Sequence, residues 1–201
     1  QLNEQNRLYA NLAKSNRIPT YTELFYVDPS NLGNPELKPE YANSAELGWF
    51  KNGKLYLEAN AFYRQTYNMI DWVRDSSSVI PNPNKWKPVN IAEVRFYGVE
   101  ATVRKSFVYT ADFKPNFLDL SYTYIQATHV FDENVESRYA YSNLRHQLIA
   151  KFSFQFSKYG SLQVNYRFLQ RVSNPAYQLV DLKLTSGNLK GFNLFVEANN
   201  L

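Results

Sequence analysis

Two histidines, His129 and His146, stand on either side of a segment that carries Asp132, Glu133 and Glu136. Imidazole suits transition metals and haem iron, and grouped carboxylates suit calcium. Each reading meets a physical objection. His129 falls in the polar parity of its strand and His146 in the apolar parity of Leu148 and Phe152, so the two rings should not converge on one ion. The run Asp132-Glu133-Asn134-Val135-Glu136 lacks the spaced acids and turn glycine of an EF-hand and reads as a solvated acidic loop. Tyr21 and Tyr26 offer phenolate ligands for iron, although loop tyrosines more often make contacts than coordinate. No G-x-S-x-G occurs, and Ser142 approaches His146 only along the chain, so a hydrolase is not supported. The sequence therefore points to no catalytic residue, no cofactor and no metal site, and it is read as a non-enzyme.

The elements that carry these residues are strands. Aromatic residues make up 16% of the 201 residues, with 16 Tyr and 14 Phe. Mean hydropathy is −0.48, and no apolar run approaches the roughly 20 residues that a membrane helix needs. A β-barrel escapes that test, because lipid-facing residues alternate with polar lumen residues and each strand gives a weak signal. The absence of cysteine excludes disulfide and thiolate-metal scaffolds. The net charge of +4 is mild, and basic residues alternate with acids along the strands instead of gathering on one face, which argues against a nucleic-acid partner.

Period-two alternation predicts about nine strands joined by alternately short and long connections. One face collects Leu8, Ala10 and Leu12, then Ala45, Leu47 and Trp49, and finally Phe152, Phe154, Val164, Leu182, Phe192, Leu194 and Val196. The other carries Arg64, Glu100, Arg104, Asp119, Lys151, Arg167, Asp181 and Lys183, read as a hydrated wall whose ions pair across neighbouring strands. Short connections are expected at 51–54, 157–160 and 187–191, and long ones at 16–42, 73–90 and 129–143. Short periplasmic turns opposite long extracellular loops are a barrel property, whereas a soluble β-sandwich shares only the alternation. Tyr63, Tyr67, Trp72, Phe96, Tyr97, Phe107, Tyr109, Phe156, Tyr159 and Phe192 are expected near strand ends as an interfacial girdle.

Three short motifs go further. Arg17-x-Pro19-Thr20 leads to Glu23-Leu24, and Gly33-Asn34-Pro35-x-Leu37-x-Pro39-Glu40 follows; later, Asn90 precedes Gly98-x-Glu100. The pattern resembles the C-terminal barrel half of TonB-dependent outer-membrane receptors, with departures at Asn16 and Ile18. The resemblance implies an all-β, antiparallel transmembrane β-barrel in the cell outer membrane. It implies further that 1–201 is the C-terminal part of a 22-stranded barrel, with the plug domain and the final strand outside this chain. Its partners would be outer-membrane lipid, TonB acting through the absent plug, and an extracellular nutrient. The overall spacing looks most like a cobalamin receptor, with a ferric-siderophore receptor second. Haem ranks behind both, since receptors of that kind place a histidine between the first two motifs and Tyr21 to Gly33 contains none. A passive porin or structural barrel and a soluble β-sandwich binding module are the readings of other classes. Tyr21, Tyr26, Trp86, Asp132 and Glu133 are the expected substrate-facing loop residues.

Overall fold

A computed structural model describes residues 5–75, 85–107, 113–129, 135–138, 143–156 and 158–201. The elements are β1 (Asn6–Arg17), α1 (Tyr21–Phe25), β2 (Glu40–Lys51), β3 (Leu55–Asp75), β4 (Lys87–Ser106), β5 (Phe113–His129), β6 (Val135–Ser137), β7 (Leu144–Phe156), β8 (Gly160–Arg171), β9 (Tyr177–Ser186) and β10 (Phe195–Ala198). They form one sheet in the order β1-β2-β3-β4-β5-β7-β8-β9-β10, with β6 added to β3. All of the pairings are antiparallel. One continuous sheet sets aside the sandwich, whose core needs two sheets face to face.

The register carries the alternation from strand to strand. Leu8, Trp49, Ala59, Ala101, Tyr122, Leu148 and Phe168 stand side by side in one row. Cross-strand partners project to the same face, so the apolar face is continuous and not a property of isolated strands. The neighbouring row on the other face reads Tyr9, Gly48, Asn60, Glu100, Thr123 and Gln147. Five of the charges expected to pair do so there, Arg104 with Asp119 at 2.7 Å, Arg167 with Asp181 at 2.9 Å and Lys183 with Glu197 at 3.7 Å, whereas Arg64, Glu100 and Lys151 make no ion pair among the described residues.

The apolar band does not follow the rows. On β1 to β4 it reaches as high as Leu12, Ala45, Tyr63 and Tyr97, whereas on β8 and β9 Gln170 and Gln178 already interrupt it one or two rows lower. There it continues down to Leu162, Leu184 and Val196. Sliding of this kind is what tilted strands require, because a level membrane cuts a tilted sheet obliquely.

Four expectations need correction. The described residues form ten strands where about nine were expected, because β6 lies inside the connection assigned to 129–143; a three-residue strand is too short to show a period. The loop assigned to 73–90 is strand at both of its ends, since β3 runs to Asp75 and β4 begins at Lys87. At 21 residues β3 is about twice the 9–11 needed to cross a bilayer at a tilt, so its upper half stands clear of the membrane. Trp72 is accordingly buried and is no girdle residue, and Phe96 packs against the buried pair Ile91 and Val94. Finally, Phe192 and Leu194 precede β10: Leu189 and Phe192 bridge in a turn, and Leu194 donates its backbone N–H to Ser186 Oγ at 2.9 Å. Tyr109 lies outside the described residues.

A clasped loop platform as the candidate functional site

The first two motifs and Asn90 meet at the end of the sheet where the long connections gather. Thr20 caps α1, its Oγ1 accepting the Glu23 N–H at 3.3 Å while Glu23 Oε2 accepts the Thr20 N–H at 2.7 Å. This reciprocal capping box stops the five-residue helix from unwinding, since so short a helix cannot hold itself. Pro19 just before the cap keeps the preceding chain extended. The Arg17 guanidinium then bridges two carboxylates, with Nη1 2.9 Å from Glu23 Oε2 and Nη2 2.8 Å from Glu40 Oε1. Its Nε adds a bond to Glu40 Oε2 at 3.0 Å, completing a planar two-pronged contact that lysine could not reproduce. Burial opposes ionisation of Glu23, but the bonds from Arg17 and Thr20 outweigh it and hold the carboxyl below its ordinary value.

The second motif continues the clasp. Gly33 donates to Tyr26 O at 2.7 Å and Asn34 to Glu23 O at 2.8 Å, closing the chain onto α1. A Cβ on Gly33 would sit 2.8 Å from the Leu24 carbonyl group, so only glycine permits this approach. Asn34 Nδ2 donates to Pro88 O at 3.0 Å, and Leu37 is buried. Asn90, ahead of the third motif, binds the second from the other side: its Oδ1 accepts the Lys38 N–H at 2.8 Å, and its Nδ2 donates to Lys38 O at 2.9 Å and to Asn68 O at 2.8 Å. Asn68 has a positive φ of 52°, a conformation asparagine tolerates better than most residues. Gly98 does different work within the wall. A Cβ there would meet Tyr124 O at 2.2 Å and the Phe62 ring at 2.6 Å, so Gly98 makes room for the aromatic ring from β3. Glu100, the last motif residue, stays on the polar face opposite Asn60.

Above its last pairing with β2, at Tyr41 to Tyr67, β3 would present an open edge. Glu40 Oε1 accepts the Ile70 N–H at 2.6 Å, and beyond it β6 pairs with Val73 to Asp75, with Arg138 donating to Trp72 O at 2.9 Å. Since β4 occupies the other edge of Val73, the β5–β7 connection has crossed the β3–β4 hairpin to arrive there. Ser137 Oγ bonds the carboxylate of Asp71, which is fully buried, and Arg74 Nε bonds Glu136 at 3.0 Å.

Trp86 joins all three connections. Its backbone exchanges hydrogen bonds with Ser30 O and the Leu32 N–H, both at 2.9 Å, and its ring lies under Arg74 at 4.9 Å and Arg138 at 5.7 Å. Tyr21 and Tyr26 are exposed on α1 and its C-cap, and Tyr21 packs against Phe25 with ring centroids 5.3 Å apart. The Tyr26 phenol is pushed above its ordinary value by its hydrogen bond to Asp28, which disfavours the phenolate that iron coordination requires. Asp132 and Glu133 lie outside the described residues. His146 stands on the apolar face, its Nδ1 2.7 Å from the Tyr122 hydroxyl and its ring against Tyr124. The backbone of His129 pairs instead with Val94. The residues that sequence reasoning passed over are Asn68, Asp71, Arg74, Ser137 and Arg138. Only their placement by crossing chains makes them partners, and no spacing announces it. Two cavities, of about 640 and 380 Å³, lie at the short-turn end, around Tyr56 and Arg104 and around Leu184 and Val196, away from this platform.

A single antiparallel sheet with one greasy face, one charged face and its long connections stapled at one end is the wall of an outer-membrane β-barrel. The chain belongs to the TonB dependent receptor-like, beta-barrel family, whose model matches residues 1–201, and it is thereby placed in the bacterial outer membrane. No curated protein matches the sequence closely enough to count as a relative. Among solved structures, the chain is similar to the copper transporter OprC (TM-score 0.72, 17% identity) over 100% of its own length and 32% of that chain. It is similar also to the siderophore receptor PirA from Pseudomonas aeruginosa (TM-score 0.69, 16% identity, 100% of this chain and 34% of that one). A third is the FrpB iron transporter from Neisseria meningitidis (TM-score 0.68, 13% identity, 100% and 32%). The chain thus spans about a third of the length of the structures that it matches.

Proposed function

We propose that this chain supplies part of the wall and three extracellular loops of a receptor that takes up a scarce metal chelate, with the rest of the barrel and a plug domain contributed by sequence outside it. The observation that carries this reading is the clasp: Arg17, Asn34 and Asn90 fix the β1–β2 connection to the β3–β4 hairpin and so present Tyr21, Tyr26 and Trp86 on a rigid base. Binding surfaces on loops need such a scaffold, because a loop that must be ordered on binding loses affinity to that ordering. Transport would be driven by TonB through the plug, and it asks no covalent chemistry of these residues.

For the cargo, a ferric chelate takes first place. The motif spacing pointed to cobalamin, but the neighbours described above carry names of copper, siderophore and iron transport, and cobalamin does not figure among them. The test is growth of a receptor-deletion strain complemented with the full receptor, supplied in turn with ferric siderophores as sole iron and with cobalamin as sole corrinoid. Rescue by a ferric chelate, undiminished in a His129→Ala/His146→Ala variant and lost when residues 20–38 are replaced by a short linker, is expected. Rescue by cobalamin alone would return the cargo to the first reading.

A further inference from the structure

Strand β10 changes its relation to β9 at its upper end. As far as Ala198, which stands opposite Leu182, the pairing keeps one register. Leu201 then donates its backbone N–H to Val180 O at 3.0 Å. Two steps along β9, from Leu182 to Val180, are therefore matched by three beyond β10, from Ala198 to Leu201. The extra residue makes a β-bulge. It falls at Asn200, whose φ of 59° is a left-handed conformation that asparagine tolerates and most residues resist.

A side chain replaces the backbone acceptor at the bulge. Asp181 Oδ1 accepts the Asn200 N–H at 3.0 Å, so the amide that leaves the ladder still has a partner. Arg167 Nη2, on β8, donates to Asp181 Oδ1 at 3.2 Å and Oδ2 at 2.9 Å, and it reaches Asn200 Oδ1 at 3.5 Å. A pair that served only to balance charge would need no bond to a third segment, whereas this one ties β8 and β9 to the chain that continues β10.

The apolar pattern gives the bulge its purpose. Leu57, Val103, Leu120, Ala150, Tyr166 and Val180 form an unbroken row across six strands on the lipid-facing side. In regular register the alternation Val196, Ala198, Asn200 would end that row with an amide, and a polar group in hydrocarbon without a partner is costly. A slip of one residue exchanges the two faces. With the bulge, Leu201 takes the place opposite Val180, and Asn200 lies beside Arg167 of the polar face.

We infer that Asp181, held by Arg167, is a positioning residue that switches the face parity of β10 at Asn200 and returns Leu201 to the lipid-facing side. The same switch sets the register that β10 offers to any strand pairing with its free edge. The inference rests on the membrane setting of the sheet, not on which nutrient the receptor carries.

The test places a spin label on the full-length receptor in lipid vesicles, through Leu201→Cys or Val196→Cys, and measures collisions with oxygen, which concentrates in hydrocarbon. With Asp181 and Asn200 intact, both labels are expected to collide with oxygen at the high rate of a lipid-facing site. Asp181→Ala removes the acceptor, so β10 resumes regular register, and the rate at position 201 is expected to fall at least about threefold while that at 196 holds. Asp181→Asn keeps an acceptor oxygen without the charge and should preserve the high rate at 201. Heat-modifiable gel mobility identifies folded protein. Should Asp181→Ala not fold, Asn200→Val, whose β-branched side chain resists positive φ, is expected to give the same fall. A low rate at 201 with Asp181 and Asn200 intact, an unchanged rate in Asp181→Ala or its substitute, or an equal fall in Asp181→Asn overturns the inference.

Discussion

At the scale of single residues, the clasp depends on Arg17 more than on any other side chain. Removing it leaves Glu23 and Glu40, whose side chains are only 12% and 13% exposed, facing each other without their shared cation. Arg17→Ala is expected to cost about 1–3 kcal/mol, since bonds to charged groups are worth this much and Arg17 itself is partly solvated. Arg17→Lys should recover only a fraction. Limited proteolysis within residues 18–38, compared with that of the short turns, would report the loosening; an unchanged cleavage pattern in Arg17→Ala would refute the clasp. Acid should mimic the mutation. Glu23 has a folded-state pKa below its ordinary value of 4.5, so its contribution is fully present above that value and is lost as pH falls through the depressed one. Protection of the loop is therefore expected to hold near neutrality and to fade below about pH 4.5. Gly98 makes a different case. Gly98→Ala drives a methyl against the Tyr124 carbonyl and should cost roughly 1–3 kcal/mol. Because that contact is with backbone, Phe62→Ala should not rescue it, which thermal unfolding of the single and double variants would show.

At the scale of elements, the two faces were legible because a lipid-facing strand and a lumen-facing row impose the same period of two on every crossing. Val164→Arg, near the middle of the apolar stretch of β8, is expected to cost on the order of 2–4 kcal/mol, and Gln163→Arg on the other face little. Urea unfolding in lipid vesicles measures both, and equal costs would contradict the assignment of faces. Legibility failed where the period failed. Ile70, Asp71, Trp72 and Val73 are all buried in succession, on both faces, because loops cover the hairpin above the membrane and end the contrast between lipid and water. The strand boundary near residue 73 was misplaced for that reason. The motifs were recognisable as a pattern, yet their mechanical role was not. Arg17, Glu23, Glu40 and Asn90 are spread over more than 70 positions, and only the folded chain shows that they secure one junction. β6 left no signal at all, being a strand whose partner is chosen by the path of a crossing connection.

At the scale of the whole molecule, β1 and β10 each leave one edge of the described sheet unpaired. Exposed edges of this length invite pairing with another copy. This chain expressed alone and refolded in detergent is expected to run as higher oligomers in analytical ultracentrifugation, and a monodisperse monomer in the absence of detergent would be incompatible with an open barrel wall. The crossing of β6 also constrains the order of events in time. Hairpins between neighbouring strands close short loops, but the upper edge of β3 waits for partners 62 and 66 residues downstream, Glu136 for Arg74 and Ser137 for Asp71. Closing a loop of that size is entropically later than zipping the hairpins it spans. The outward surface of this sheet would then be finished last, after the strands around it are already seated, and a kinetic trace of wall formation should run ahead of one that follows Trp86.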